Sequence, residues 1–296
     1  MRMELTVADT IIQRLPGSTS SATETRPSFI EMDSVVLDSV TKGFRHRPAL
    51  FNWLSRERSG ETRALVDVSL RVQRGNVLVL LGPNGSGKTT TLKLISTMLL
   101  PDSGRVLIEG ADTCLRAGTV RKHVGFAVAN ERSFFPRLSA RENLDFFASL
   151  EDVPAKIRPA RIQAMLERTG LQDTANTLVM KFSSGMYQRL GIARALIKEP
   201  SVILLDEPTR SLDPASTACF WNLVRELADQ GATVILTTHS FQEAVAVGDF
   251  VAVLHCGRLA AYQKIRNIEV EELRSFYFQT TGELNHIDEF AVRNCR

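Results

Sequence analysis

The chain has 296 residues, of which 44% are hydrophobic and 23% charged, with a formal net charge of +3; this is enough chain for a substantial core and too little charge to argue for a nucleic-acid partner. Its four cysteines, Cys114, Cys219, Cys256 and Cys295, have no metal-ligand spacing and suit free thiols in a reducing cytosol, not a disulfide framework. No apolar run approaches the ~18 residues a membrane-spanning helix needs, and the N-terminus lacks the basic-then-apolar order of a signal peptide, so any work at a membrane is expected to go through a partner.

Residues 1–33 are polar and mixed, and Pro16-Gly17-Ser18-Thr19-Ser20-Ser21 is linker-like, so a poorly ordered arm is expected here. A first strand is predicted over residues 34–40, with Phe44 at its end. From Lys42 to Arg63 there are six Lys/Arg against two acids, and Leu50, Phe51, Trp53 and Leu54 are spaced for a turn or two of amphipathic helix. That stretch reads either as a solvated loop or as a short helix against a membrane surface or membrane subunit.

Residues 64–72 alternate like a strand with one solvated face, and Arg74-Gly75-Asn76 turns the chain. Val77-Leu78-Val79-Leu80-Leu81 reads as a buried strand. It runs into Gly82-Pro83-Asn84-Gly85-Ser86-Gly87-Lys88-Thr89-Thr90, the G-x-x-x-x-G-K-[ST] phosphate-binding loop, with a helix predicted after it. Strand before and helix after give the chemistry its geometry. Glycines let successive N–H groups turn inward toward phosphate oxygens, and the helix N-terminus adds its positive dipole end. Lys88 is then expected to reach the β- and γ-phosphates, and the Thr89 hydroxyl to ligate Mg²⁺.

Strands follow at 105–110 and 124–128, and a helical pattern from 142 to about 170, with Leu144, Phe147 and Leu150 on one face and Ile157, Ile162, Met165 and Leu166 on another. A helix over 187–198 turns Leu190, Ile192, Ala195 and Leu196 inward. Val202-Ile203-Leu204-Leu205 then reads as a fully buried strand ending in Asp206-Glu207. Two carboxylates at a strand C-terminus stand where open α/β sheets place their ligands. Behind a phosphate loop they suit nucleoside-triphosphate hydrolysis, Asp206 holding the Mg²⁺ shell and Glu207 polarising the attacking water. A helix over 214–228, a buried strand over 232–239 ending in His239, and a strand pair around Gly257 complete the pattern; residues 268–296 read as acidic at first, then irregular.

Phe182-Ser183-Ser184-Gly185-Met186, then Tyr187-Gln188-Arg189, Leu204-Leu205-Asp206-Glu207-Pro208-Thr209, Ser211-Leu212-Asp213 and Thr238-His239-Ser240 resemble the nucleotide-binding subunit of an ABC transporter. The likeness covers roughly residues 33–265. Phe-Ser-Ser-Gly-Met in place of the usual Leu-Ser-Gly-Gly-Gln, together with residues 131–144, is similar to the exporter branch. The resemblance implies an α/β P-loop ATPase fold: a RecA-like core sheet, an antiparallel β subdomain and a helical subdomain at about 131–190, within a domain at 34–267 flanked by the arm 1–33 and a short extension 268–296. It implies that Phe44 stacks on adenine and that Gly82 to Thr90 hold the ATP phosphates. It also implies that Ser183, Ser184, Gly185 and Met186 lie across the ATP of a second subunit, itself or a paralogue, packed head to tail, with Asp213 linking the two sites. His239 becomes the switch residue at the γ-phosphate. The family's glutamine between sheet and helical subdomain is replaced, at the nearest position, by Asn130, one methylene shorter, as a possible Mg²⁺ contact.

The implied function is ATP binding and hydrolysis with Mg²⁺, coupled by dimerisation to a separate transmembrane permease subunit, at the cytoplasmic face of the membrane and without nucleic acid. A soluble ABC-type ATPase acting on ribosomes or DNA is the alternative. Such proteins usually join two cassettes or insert a long coiled coil, and this sequence shows neither. A plain P-loop kinase or GTPase is argued against by the signature, by His239 and by the lack of an Asn-Lys-x-Asp guanine reader.

Overall fold

A computed structural model describes residues 33–45, 61–128 and 133–282. The amphipathic stretch expected within 45–58, Asn130, nearly all of the arm 1–33 and residues 283–296 therefore lie outside the described residues. In chain order the elements begin with β1 (Asp33–Arg45), β2 (Glu61–Gln73), β3 (Val77–Leu81), α1 (Lys88–Ile95), β4 (Ser103–Ile108), β5 (Ala111–Asp112), α2 (Ala117–His123) and β6 (Val124–Val128). They continue with α3 (Ala140–Leu150), α4 (Arg158–Arg168), α5 (Ser184–Leu196), β7 (Val202–Asp206), α6 (Pro214–Asp229), β8 (Thr233–Thr237), α7 (Phe241–Val247), β9 (Phe250–His255), β10 (Arg258–Lys264) and α8 (Val270–Thr281).

Two sheets form. One is antiparallel, in the order β2-β1-β4-β5; the other has six strands in the order β10-β9-β3-β8-β7-β6. In the second, β9, β3, β8, β7 and β6 are mutually parallel and β10 closes the edge antiparallel to β9. All five residues of β3, of β7 and of β8 are buried. That burial on both faces is why they read as continuous apolar runs.

The period-2 alternation of these strands splits the core in two. Leu78, Leu80, Val202, Leu204 and Ile235 face α1 and the antiparallel sheet, packing with Leu37, Leu65, Val106 and Leu92. Val77, Val79, Ile203, Leu205, Val234 and Leu236 face the other way, toward α3 to α8, packing with Leu144, Leu190, Val224 and Leu273. Each such fully buried aliphatic side chain contributes about 1.5–3 kcal/mol of burial free energy. Asp249 anchors the start of β3: its Oδ2 accepts the Val77 N–H at 2.9 Å and pairs with Arg225 at 2.9 Å.

Three local expectations differ from the structure. The helical stretch 142–170 is two helices, because the chain turns at Asp152, whose φ is 58°, and at Pro154. The break leaves Leu150 and Ile157, expected inward, 64% and 43% exposed. Residues 270–281 are helical, not irregular: Leu273 and Tyr277, one turn apart, are buried, and Glu271 and Glu272 sit in the first turn, where acids favour a helix. β1 also runs past residue 40 and carries Phe44 within it, opposite Thr62 of β2.

Candidate functional site

The loop 82–87 leaves β3 at its C-terminal end and enters α1. Gly82 and Gly87 have φ of 153° and 108°, values open to glycine and strained for other residues. A Cβ on Gly87 would stand 2.5 Å from Leu65 Cδ2 and 2.6 Å from the Ala64 carbonyl, and one on Gly82 would strike the Leu254 carbonyl oxygen. The loop is thus wedged between β2 and β9 with no room for side chains at its ends. Gly87 caps α1 without a side-chain acceptor, so the first-turn N–H groups stay available for an anion. The Ser86 hydroxyl is buried and has no hydrogen-bond partner among the described residues.

Lys88 lies inside this ring. Its ammonium donates to the Gly82 carbonyl at 2.6 Å and to the Pro83 carbonyl at 3.1 Å. Burial holds its pKa below the ordinary lysine value, while the nearby Glu207 and Asp206 carboxylates pull it back upward.

Sheet order brings the acids to the loop. β8 lies between β3 and β7, and Thr237 at its end stands beside Leu80 of β3 and Asp206 of β7. The Thr237 hydroxyl donates to Asp206 Oδ1 at 2.6 Å and accepts the Glu207 N–H at 3.0 Å. From α1, Thr89 donates its hydroxyl to Asp206 at 3.1 Å. Glu207 has a φ of 47°, a left-handed backbone that costs a non-glycine residue of order 1 kcal/mol. This turn aims its carboxylate sideways: Oε1 is 2.9 Å from His239 Nε2, and Oε2 accepts from Arg210 at 3.2 Å. A cleft of about 340 Å³ opens here, lined in part by Asn84, Glu207, Arg210, Thr238 and His239.

The predicted residues thus fall into groups. The loop 82–90, Asp206, Glu207 and His239 are gathered at the ends of three adjacent strands. Ser183, Ser184, Gly185 and Met186 do not line the cleft; they start α5, where the Ser183 hydroxyl caps the helix by accepting the Met186 N–H. An added Cβ on Gly185 would lie 3.0 Å from the Ser211 carbonyl oxygen, so α5 begins against the loop that leads to Asp213. Asp213 caps α6, accepting from the Ser216 hydroxyl at 2.6 Å and the Ser216 N–H at 2.9 Å, and these bonds hold its pKa below the ordinary aspartate value. Phe44 is 38% exposed, with the Lys42 ammonium 5.9 Å from its ring centre. Thr237 and Arg210 were not foreseen as site residues; only strand neighbours and a turn reveal them.

No cluster of three or more His, Cys, Asp or Glu able to hold a metal occurs among the described residues. Thr89 and Asp206 instead offer a few hard oxygens beside the phosphate loop. That set suits Mg²⁺, which takes one or two protein oxygens and completes its shell with phosphate and water.

The sequence model of the ABC transporter family matches residues 65–210. The daunorubicin resistance ATP-binding protein DrrA3 of Streptomyces coeruleorubidus is 42% identical over 205 residues, 69% of this chain and 65% of that protein. The match to this relative therefore spans slightly less than two thirds of its length. The ABC transporter ATP-binding protein NatA of Bacillus subtilis is 36% identical over 67% of this chain and 80% of its own length. Among solved structures, the ATP-binding cassette MJ0796, a dimer in a post-hydrolysis state bound to ADP and Pi, is 28% identical with a TM-score of 0.69, covering 79% of this chain and 99% of that one.

Proposed function

This chain belongs to the ABC transporter family of ATP-binding proteins, and from that premise we propose that it is the ATP-hydrolysing subunit of an exporter. The observation that carries the reading is the arrangement of Lys88, Asp206, Glu207 and His239 around one phosphate loop. Backbone N–H groups of residues 82–89, the Ser86 hydroxyl and Lys88 hold the phosphates of ATP, and Phe44 stacks on its adenine. Thr89 and Asp206 hold Mg²⁺, with Asn130 a further candidate. When bound, the ion supplies neutralising charge on the β- and γ-phosphate oxygens. Glu207 polarises the attacking water, and His239, through its contact at 2.9 Å, fixes the direction of that carboxylate and meets the γ-phosphate. These groups stabilise charge that develops in the transition state, and their preorganisation is the main source of rate.

Ser183, Ser184, Gly185 and Met186 sit over the ATP of a second subunit, a copy of this chain or a paralogue, in a head-to-tail pair, and Asp213 links the two sites. The dimeric form of MJ0796 supports this pairing. ATP binds the closed pair better than the open one and so shifts the population toward closure; hydrolysis reopens it. A separate transmembrane permease converts this motion to transport. Two observations support such a partner. No helix of the described residues is long and apolar enough to cross a membrane. Phe135 and Phe146, 43% and 40% exposed with ring centres 4.8 Å apart, present an aromatic patch on the α3 surface. The chain would then work peripherally at the cytoplasmic face. Export is favoured over uptake by the relatives named for daunorubicin resistance and Nod factor export.

Glu207→Gln keeps the shape of the side chain and removes its charge. It is expected to bind ATP, to hydrolyse it at least about a hundredfold more slowly, and to accumulate an ATP-dependent dimer on size-exclusion chromatography. Unchanged turnover would remove Glu207 from the chemistry.

A further inference from the structure

Glu243 takes no part in the chemistry above, yet it is only 1% exposed. Its position is unusual for its sequence context. Ser240 caps α7 and accepts the Glu243 N–H at 3.2 Å, and in Ser-x-x-Glu the acid ordinarily reaches back to the N–H of the cap. Here the Ser240 N–H is taken by the Thr238 hydroxyl at 3.0 Å, and the Glu243 side chain turns inward. Its Oε1 accepts from the indole N–H of Trp221 on α6 at 3.3 Å. Its Oε2 is buried without a hydrogen-bond partner among the described residues. Burial pushes the carboxyl up from the ordinary glutamate value, opposed by the side chains of Thr238, Thr209 and Trp221 alongside it.

A buried acid with an unsatisfied oxygen costs stability, so packing alone does not account for it. What distinguishes the site is where its neighbours come from. Thr238 immediately precedes His239; Thr209 is two residues beyond Glu207; Trp221 belongs to the helix that Asp213 caps. We propose that Glu243 is a positioning residue that ties the His239 segment to the Glu207–Asp213 segment and thereby fixes the His239–Glu207 contact. The proposal rests on the ATPase reading above. Glu243 accepts from Trp221 and lies against the Thr238 and Thr209 side chains. Glutamine keeps the shape and an oxygen that accepts from Trp221; alanine keeps neither.

The test is steady-state ATP hydrolysis by the purified full-length chain, with imidazole ¹⁵N NMR of His239 assigned through His239→Gln. Glu243→Ala should lower kcat about tenfold, as loss of orientation does, with KM for ATP unchanged within about twofold, and should alter the His239 signals. Glu243→Gln should restore kcat and the signals. Trp221→Phe removes only the indole donor and should lower kcat about threefold with the same change at His239; it decides the matter if Glu243→Ala does not fold. Wild-type kcat in the Ala and Phe variants, or a Gln variant no better than Ala, overturns the proposal. Absence of turnover in the wild-type chain would instead fail the ATPase reading, while loss of the His239 perturbation alone fails the positioning role.

Discussion

Thr237 offers the sharpest probe of how the sheet builds the site. Its hydroxyl sits between two groups that the proposed mechanism uses, donating to Asp206 Oδ1 at 2.6 Å and accepting from the Glu207 N–H at 3.0 Å. Thr237→Val keeps the shape and removes both bonds. The Glu207 N–H retains the Thr237 carbonyl at 3.1 Å, so its loss is small. Asp206 retains Thr89 but gives up a short bond to a buried carboxylate, a class worth about 1.5–3 kcal/mol. The added methyl returns part of that, about 0.8 kcal/mol. The net is about 1–2 kcal/mol, or a melting temperature lower by about 3–6 °C. Freed from its donor, Asp206 would leave its orientation toward Thr89, and turnover should fall by about tenfold. Thr237→Ser keeps the hydroxyl, loses the methyl, and should cost stability but little turnover. Differential scanning fluorimetry and a coupled ATPase assay on the three proteins read both quantities. A Val variant with wild-type melting and turnover, or a Ser variant as slow as Val, would refute the bridging role of this hydroxyl.

Lys88→Ala removes a charge buried within the phosphate loop and should weaken ATP binding by about ten- to a hundredfold in isothermal titration calorimetry; equal affinity would refute its role. Asp249→Ala breaks the buried pair with Arg225 and strips the Val77 N–H of its acceptor. It should destabilise the chain by about 3–5 kcal/mol in urea unfolding, a loss under 1 kcal/mol showing that the anchor of β3 is unimportant.

The parts of the site that lie in one continuous stretch were legible in the sequence. The phosphate loop and the Asp206-Glu207 strand end each announce themselves by local pattern, because an all-apolar strand followed by glycines or acids permits few other readings. The groups that meet only through sheet order were not. Thr237 reaches Asp206 because β8 lies between β3 and β7, and no periodicity encodes that. Arg210 reaches Glu207 because a left-handed residue turns the chain. Glu243 carries no sequence signal of its own, because its partner Trp221 lies 22 residues away on another helix. Periodicity also overreached: Leu150 matches the apolar face of α3 but is its last residue, where the face has run out of core. For α8 the reverse holds, since its two buried positions, Leu273 and Tyr277, are too few to stand out from the acids around them.

The place of β3 in its sheet has a consequence for how the molecule comes into being. Its two neighbours, β8 and β9, lie in the last quarter of the chain. At ~5–20 residues per second of synthesis, roughly 10–35 s separate the emergence of the phosphate loop from that of the strands that flank it. Through that interval an all-apolar strand waits without partners, the kind of exposed segment that chaperones shield. Pairing across such a separation is slow to close. The nucleotide site is therefore among the last features the nascent chain acquires, and ATP, by binding only the finished sheet, would stabilise the completed fold over every shorter intermediate.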